Sequence, residues 1–279
     1  MDLAVFLVVL LSAAMQAAWN IILKIKLDPF RALVLVGLGA GASALPFALW
    51  IGPPDRALWP WIGGSVVAHL SYYAFLIGAY SRADLGLTYP VARGSALLLT
   101  ALVSILVLSE PIGLIGVIGI VLLALAILTM AREAFGRMME GRALLLALGS
   151  GIAVTAFTVI DGTAARISGS ANAYTTWLFV CDAVVIALVV LAWKGPRSMA
   201  PMVGFLPLGL LGGAMLFVSY WLSVWAMTQA PIGLVTAVRE SSVLFGAIMS
   251  VAILREPLRT DRIIGAFMVI GGLTLIKLH

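Results

Sequence analysis

Two arginines, Arg93 and Arg239, each lie about eight residues inside a long apolar run. At 1.5 Å of rise per residue that is roughly 12 Å from the end of the run, too deep to snorkel easily into water. A central arginine costs about 2.5–3.5 kcal/mol on the insertion scale, so each needs a partner or a task. The planar guanidinium fork suits a carboxylate, phosphate or phosphonate. The chemistry to expect is reversible binding of an anionic group. The alternative is a fixed tie to Glu240, Asp161 or backbone carbonyls. Glu240 follows Arg239 about 100° further around a helix. It is placed to hold an ammonium, accept a proton or neutralise Arg93. Gly94 stands where a second Glu would be beside Arg93, and that asymmetry favours a zwitterion over a symmetric dianion.

Other candidates share these faces. Tyr89, Thr100 and Ser104 fall within about 60° of Arg93 on a helix, and Thr236, Gly246 and Ser250 line up with Arg239. Asp161, in an Ile-Asp-Gly segment, reads as a helix-end turn that touches substrate or merely ends the helix. Trp19 and Asn20 hold the corresponding place in the first run. His69 and Tyr73 are spaced i, i+4, and Tyr220-Trp221 repeats the aromatic theme. Histidine titrates nearest neutral pH, so His69 is read either as a proton-coupling residue or as a hydrogen-bonded packing residue. Glu110 and Glu256 precede prolines, and each reads as a carboxylate offsetting a helix macrodipole. With two histidines and one cysteine, Cys181, no metal cluster or internal disulfide is expected. No phosphate-binding loop and no Ser/Cys–His–acid set occurs. No cofactor is expected, and coupling to a proton or another ion is left open.

The elements that must position these residues are membrane helices. Of 279 residues 63% are hydrophobic and 10% charged, with mean hydropathy +1.15, far from the roughly 25% charged residues of a soluble domain. Apolar runs bounded by Pro, Gly and charge predict ten spans. The first five are 3–23, 32–51, 61–80, 85–108 and 112–130; the second five are 143–165, 173–193, 203–227, 232–254 and 262–278. That leaves 1–131 and 143–279 as halves and 132–142 as linker. The net charge of +5 is scattered at run ends, which excludes a nucleic-acid partner. Twelve Lys and Arg follow odd-numbered spans, Lys24, Arg82, Arg142 and Lys194 among them, against Arg56, Arg166 and Lys277 on the other side. The positive-inside rule then puts both termini outside.

The halves resemble each other. GLTYPVARGSALL from Gly86 aligns with GLVTAVRESSVLF from Gly233, pairing Arg93 with Arg239, Ser95 with Ser241 and Glu110-Pro111 with Glu256-Pro257. Five spans per half predicts an all-α membrane protein of two inverted five-helix repeats, with a site near mid-membrane between them. AAWNIILK (17–24), DLGLTYPVARGSALL (84–98), FTVIDGTAAR (157–166) and VTAVRESSVLF (235–245) resemble EamA-type members of the drug/metabolite transporter superfamily. They lie closest to a subset that includes phosphonate-utilisation-associated members. Gln16, Phe157 and Ala164 depart from the subset's His, Tyr and Gly. The resemblance implies ten helices, a multi-pass protein of a bacterial-type inner membrane, and transport of small metabolites, frequently export. The expectation is a secondary carrier, not an enzyme, for a small anionic or zwitterionic metabolite such as an amino acid or aminophosphonate, acting as monomer or homodimer. The alternatives are a translocase of an anionic lipid head group and a membrane-embedded enzyme.

Overall fold

The structure, a computed structural model, describes residues 1–22, 28–83, 85–130, 140–254 and 260–279. The linker's basic residues Arg132 and Arg137, the cations Lys24 and Lys26, and the Arg255–Arg259 segment with Glu256 lie outside them, as does the Ser250 side chain. The described residues form α1 (Leu3–Ile22), α2 (Pro29–Ile51), α3 (Trp59–Tyr80), α4 (Leu85–Leu106), α5 (Leu114–Met130), α6 (Gly141–Ser168), α7 (Ala171–Lys194), α8 (Leu206–Met227), α9 (Ile232–Arg239), α10 (Ser242–Leu254) and α11 (Thr260–Leu278). Short 3-10 stretches at Arg56–Leu58 and Pro196–Phe205 lead into α3 and α8. Among the described residues eight helical segments are long and apolar enough to cross a membrane. α5 is a shorter apolar helix, and α11 brings Asp261, Arg262 and Lys277 into its 19 residues.

Local chemistry explains the ends. The Asp28 carboxylate accepts from Arg31 N at 3.0 Å and starts α2, and Ser170 caps α7 through Ala173 N. Gly169 ends α6 in the left-handed region, φ 62°, where a side chain is disfavoured. Two expectations need correction here. Asp161 is not in a helix-end turn: α6 runs on to Ser168. Gly162 does not break it but makes room, since a Cβ there would lie 2.6 Å from Ile232 Cδ1. The span expected at 232–254 is broken into α9 and α10 at Glu240-Ser241. Ser241 N bonds Val238 O at 3.1 Å and Leu244 N bonds Ser241 O at 2.9 Å, a local tightening to i→i+3.

Lipid-facing surfaces are apolar: Leu3, Leu7 and Leu11 form a stripe on α1, each more than half exposed. Inside, small residues let helices approach. Gly209 and Gly213 of α8 seat on Gly39 of α2, where a Cβ on Gly213 would lie 2.2 Å from Gly39 C. Gly41 rests on Ala183 and Phe179 of α7. Polar ties join other pairs: Ser12 Oγ bonds Ser219 O at 2.7 Å and Ser223 Oγ at 2.7 Å between α1 and α8. Thr100 bonds Thr155 between α4 and α6 at 3.2 Å. The main packing partners are α5 with α11, α3 with α6, α1 with α8, α2 with both α7 and α8, and α4 with α6 and α9. Further contacts join α1 to α10, α1 to α9 and α3 to α7. Lys277 Nζ donates to Met1 O at 3.0 Å, so the two termini meet at one end of the bundle.

Candidate functional site

The two arginines meet different fates. Arg93, on α4, forms a two-point ion pair with Glu240: Nε donates to Oε2 at 3.1 Å and Nη2 lies 2.6 Å from Oε1. Both side chains are buried, 10% and 4% exposed, and the Tyr89 ring lies 6.0 Å from the guanidinium. This is the neutralising role weighed for Glu240, and it joins the two copies of the repeated segment. Thr100 and Ser104, further along the Arg93 face, are fully buried against α6 and α9. That part of the polar stripe is packing.

Arg239 has no such partner. Among the described residues no carboxylate pairs with it, and its buried Nε has no hydrogen bond. Its guanidinium sits over the Tyr220 ring, 4.9 Å from the centroid, a cation–π contact that steadies the charge without neutralising it. The Tyr220 hydroxyl donates to Asp161 Oδ2, and Tyr174 donates to Asp161 Oδ1 at 2.7 Å. Asp161 is fully buried and held by hydroxyls, so it orients the tyrosine that carries Arg239. Around the helix break Thr236 Oγ1 and Ser241 Oγ are buried without hydrogen-bond partners, as are Gln16 Oε1 and Trp19 Nε1 on α1. Buried polar atoms are almost always satisfied, so the unmet hydroxyls of Thr236 and Ser241, next to Arg239 along the chain, stand out. A Cβ on Gly246, one face along from Arg239, would meet nothing within 4 Å.

The remaining candidates divide. His69 is not a lone histidine: Nδ1 lies 2.8 Å from Asp182 Oδ2. Its ring lies against Phe157, with centroids 4.2 Å apart, and edge-on to Tyr220 at 6.1 Å. Tyr73 packs on Tyr72 with ring centroids 5.3 Å apart. Asn20 is half-buried, with no hydrogen-bond partner among the described residues. Trp221 donates to Asn172 Oδ1 at 2.8 Å and belongs to the bundle's rim. Cys181 is a half-buried free thiol.

Sequence reasoning missed Asp182, an acid inside the apolar run of α7 whose only signal was its charge. The helix whose macrodipole Glu110 offsets is not the one that follows it in the chain. The Glu110 carboxylate accepts from Ile232 N, the first residue of α9, at 2.8 Å, and pairs with Arg166 at 2.6 Å. Arg166 in turn donates to Met227 O at 2.7 Å and Ala230 O at 3.0 Å. The macrodipole that Glu110 offsets is that of α9, which ends in Arg239.

Comparison with known proteins agrees with this architecture. A solved structure described only as the crystal structure of a protein superposes with a TM-score of 0.76 at 17% identity, covering 99% of this chain and 96% of its own. At that identity the likeness shows the fold alone. No curated protein sequence matches the chain. Residues 141–278 match the EamA-like transporter family, whose members are transporters rather than enzymes. The phosphonate-associated subset finds no separate support in these matches. With its apolar helices packed around a buried ionic cluster, the chain is a multi-pass membrane protein whose second half, residues 141–278, belongs to the EamA-like transporter family of the drug/metabolite transporter superfamily.

Proposed function

We propose that the chain is a secondary carrier for a small anionic or zwitterionic metabolite, such as an amino acid or an aminophosphonate, working by alternating access. Arg239 anchors the acid group, and export is the direction the family resemblance implies. One observation carries the reading: a guanidinium with no carboxylate partner among the described residues, at a break in an apolar helix where the Thr236 and Ser241 hydroxyls are also buried without partners. Broken helices at mid-membrane are a common way for carriers to bare binding groups. Arg93 and Glu240 set the local balance of charge, and Glu240 is the group an incoming ammonium would contact.

The architecture is ten crossings in two inverted repeats, 1–131 and 143–279, joined by 132–142. It counts the eight long spans together with α5 and α11. Packing supports it: exchanging α1–α5 for α6, α7, α8, α9–α10 and α11 turns α3·α6 into α8·α1, α2·α8 into α7·α3, and α4·α6 into the contacts of α9 and α10 with α1. The pairs α2·α7, α4·α9 and α5·α11 map onto themselves. An even number of crossings agrees with termini that meet through Lys277 and Met1. With the richer Lys and Arg connections in the cytoplasm, both termini lie outside a bacterial-type inner membrane.

The test is counterflow in proteoliposomes loaded with an unlabelled L-amino acid pool or aminomethylphosphonate, against the same labelled compounds. Wild-type protein is expected to exchange label, and Arg239→Ala to reduce exchange to that of empty vesicles while eluting as the same folded species. Normal exchange by Arg239→Ala would overturn the assignment.

A further inference from the structure

His69 and Asp182 are the second ion pair inside the bundle, and anchoring an acid group at Arg239 gives them no task. His69 lies near the middle of α3, from the first half, and Asp182 near the middle of α7, from the second. Mid-span is the most expensive place for ionisable groups, and a pair there with no function would be cheaper as two neutral amides. The pair is largely buried, its side chains 12% and 13% exposed. Nor is it a metal site, since no group of three or more His, Cys, Asp or Glu that could hold a metal gathers among the described residues.

The surroundings connect the pair to the anion site. The charged groups facing the His69 ring are Asp182 from α7, Asp161 from α6 and Arg239 from α9. From α8 the ring meets Tyr220, whose hydroxyl is held by Asp161 and whose face carries the Arg239 guanidinium. On its own helix the phenols Tyr72 and Tyr73 are neighbours in sequence. α4 brings Arg93, already neutralised by Glu240, and the 3-10 turn before α3 brings only the exposed Arg56. The cations Arg93 and Arg239 thus stand against Glu240, Asp161 and Asp182. With all three carboxylates ionised, the cluster carries one net negative charge while His69 is neutral and none once His69 is protonated.

We propose that His69 and Asp182 form a proton site whose occupancy is linked to occupancy of the Arg239 site, so that a solute with net negative charge crosses together with one proton. It rests on the carrier reading. The neutral ring keeps its proton on Nδ1, 2.8 Å from the Asp182 carboxylate, and the arriving proton adds to the Nε2 lone pair, with no other bond made or broken. An anion entering the unprotonated cluster brings its charge to two negatives in an apolar interior. Entering with a proton, it leaves the charge at one, as in the empty, unprotonated state. A net-neutral zwitterion needs no proton, so the proposal also separates the two solute classes. The carrier runs outward or inward with whichever combined gradient is larger.

Two measurements test this. The chain has only two histidines, so in a His279→Gln background His69 is the one imidazole seen by nitrogen NMR of histidine-labelled protein. Its ring is expected to titrate, with the midpoint displaced by about one unit or more in Asp182→Asn. A ring that does not titrate, or a midpoint indifferent to Asp182→Asn, overturns the proposal. In proteoliposomes holding a pH dye, an inward gradient of L-aspartate or aminomethylphosphonate is expected to acidify the lumen as label enters. Asp182→Asn, alone or together with His69→Gln, leaves the cluster neutral and should keep label-for-label exchange but lose the acidification. Label entry without acidification by the wild-type protein overturns proton linkage and leaves the carrier reading standing. No movement of either acid by the wild-type protein counts against the carrier reading, and the imidazole titration then decides the proton site by itself.

Discussion

Arg93 and Arg239 have equivalent places in the repeated segment, yet the structure gives them different energetics, and variants should separate them. Arg93→Ala strands Glu240 as a buried charge, a change that typically costs about 3–5 kcal/mol at a pair only 10% and 4% exposed. Adding Glu240→Ala removes the stranded charge and should restore more than half of that loss. A double-mutant cycle by urea unfolding in mixed micelles reads it, and additive losses would show that the pair is not coupled. Arg239→Ala leaves no carboxylate unpaired among the described residues and relieves a buried Nε without a partner, so its unfolding midpoint should stay at or above the wild-type value. The two arginines were legible in the sequence because a charge deep in an apolar run is costly wherever it points. Which one was spoken for was not legible, because Glu240 sits beside Arg239 in the chain but reaches across to α4. Asp182 went unread for a related reason: its partner, His69, lies 113 positions earlier, and no spacing rule links them.

At the scale of elements, hydropathy and breakers placed most helix ends within a few residues, since each end coincides with a cap or a Pro, Gly or charged residue. The break between α9 and α10 was invisible because Arg239-Glu240-Ser241-Ser242 contains neither Gly nor Pro. The chain tightens there to i→i+3 bonds while Glu240 is drawn toward Arg93. Two predictions follow from how elements meet. Gly213→Val forces a side chain into the Gly39 backbone, 2.2 Å from its would-be Cβ, and should cost at least the ~1–3 kcal/mol typical of overpacking. Gly246→Ala, with open space at the same distance scale, should be neutral or stabilising by about 0.5–1 kcal/mol as a glycine leaves a helix. Thermal unfolding of both variants checks the contrast; equal losses would mean that α2 and α8 are not in close contact. Glu110→Ala removes the carboxylate from the Ile232 N–H and from Arg166. It is expected to weaken solute exchange several-fold by loosening α9, with Arg239 itself intact, and unchanged exchange would make that contact purely local.

At the scale of the molecule, the proposed exchange of two halves goes with chain ends that meet. Lys277 bonds Met1, and His279 lies 3.2 Å from Pro111 O. The Pro111 segment includes Glu110, which pairs with Arg166. Trp177, near the start of α7, donates to Gly52 O at 2.6 Å, joining the α2–α3 connection to the same region. The few cations on this side, Arg56, Arg166 and Lys277, stand against the Lys and Arg of the opposite connections, Arg31, Arg82, Arg142, Lys194 and Arg197 among them. Positive charge resists translocation, so the end where the termini meet should face outward. Single cysteines at Asp2 and His279 in a Cys181→Ser background, treated in intact cells with a membrane-impermeant maleimide, should both react. A cysteine at Arg142 should react only after the membrane is opened. Labelling of Arg142→Cys alone in intact cells would reverse the orientation, and labelling of one terminus without the other would remove the even number of crossings. In either case the Arg239 site keeps its local chemistry, because that chemistry depends on which helices touch and not on which way the bundle faces.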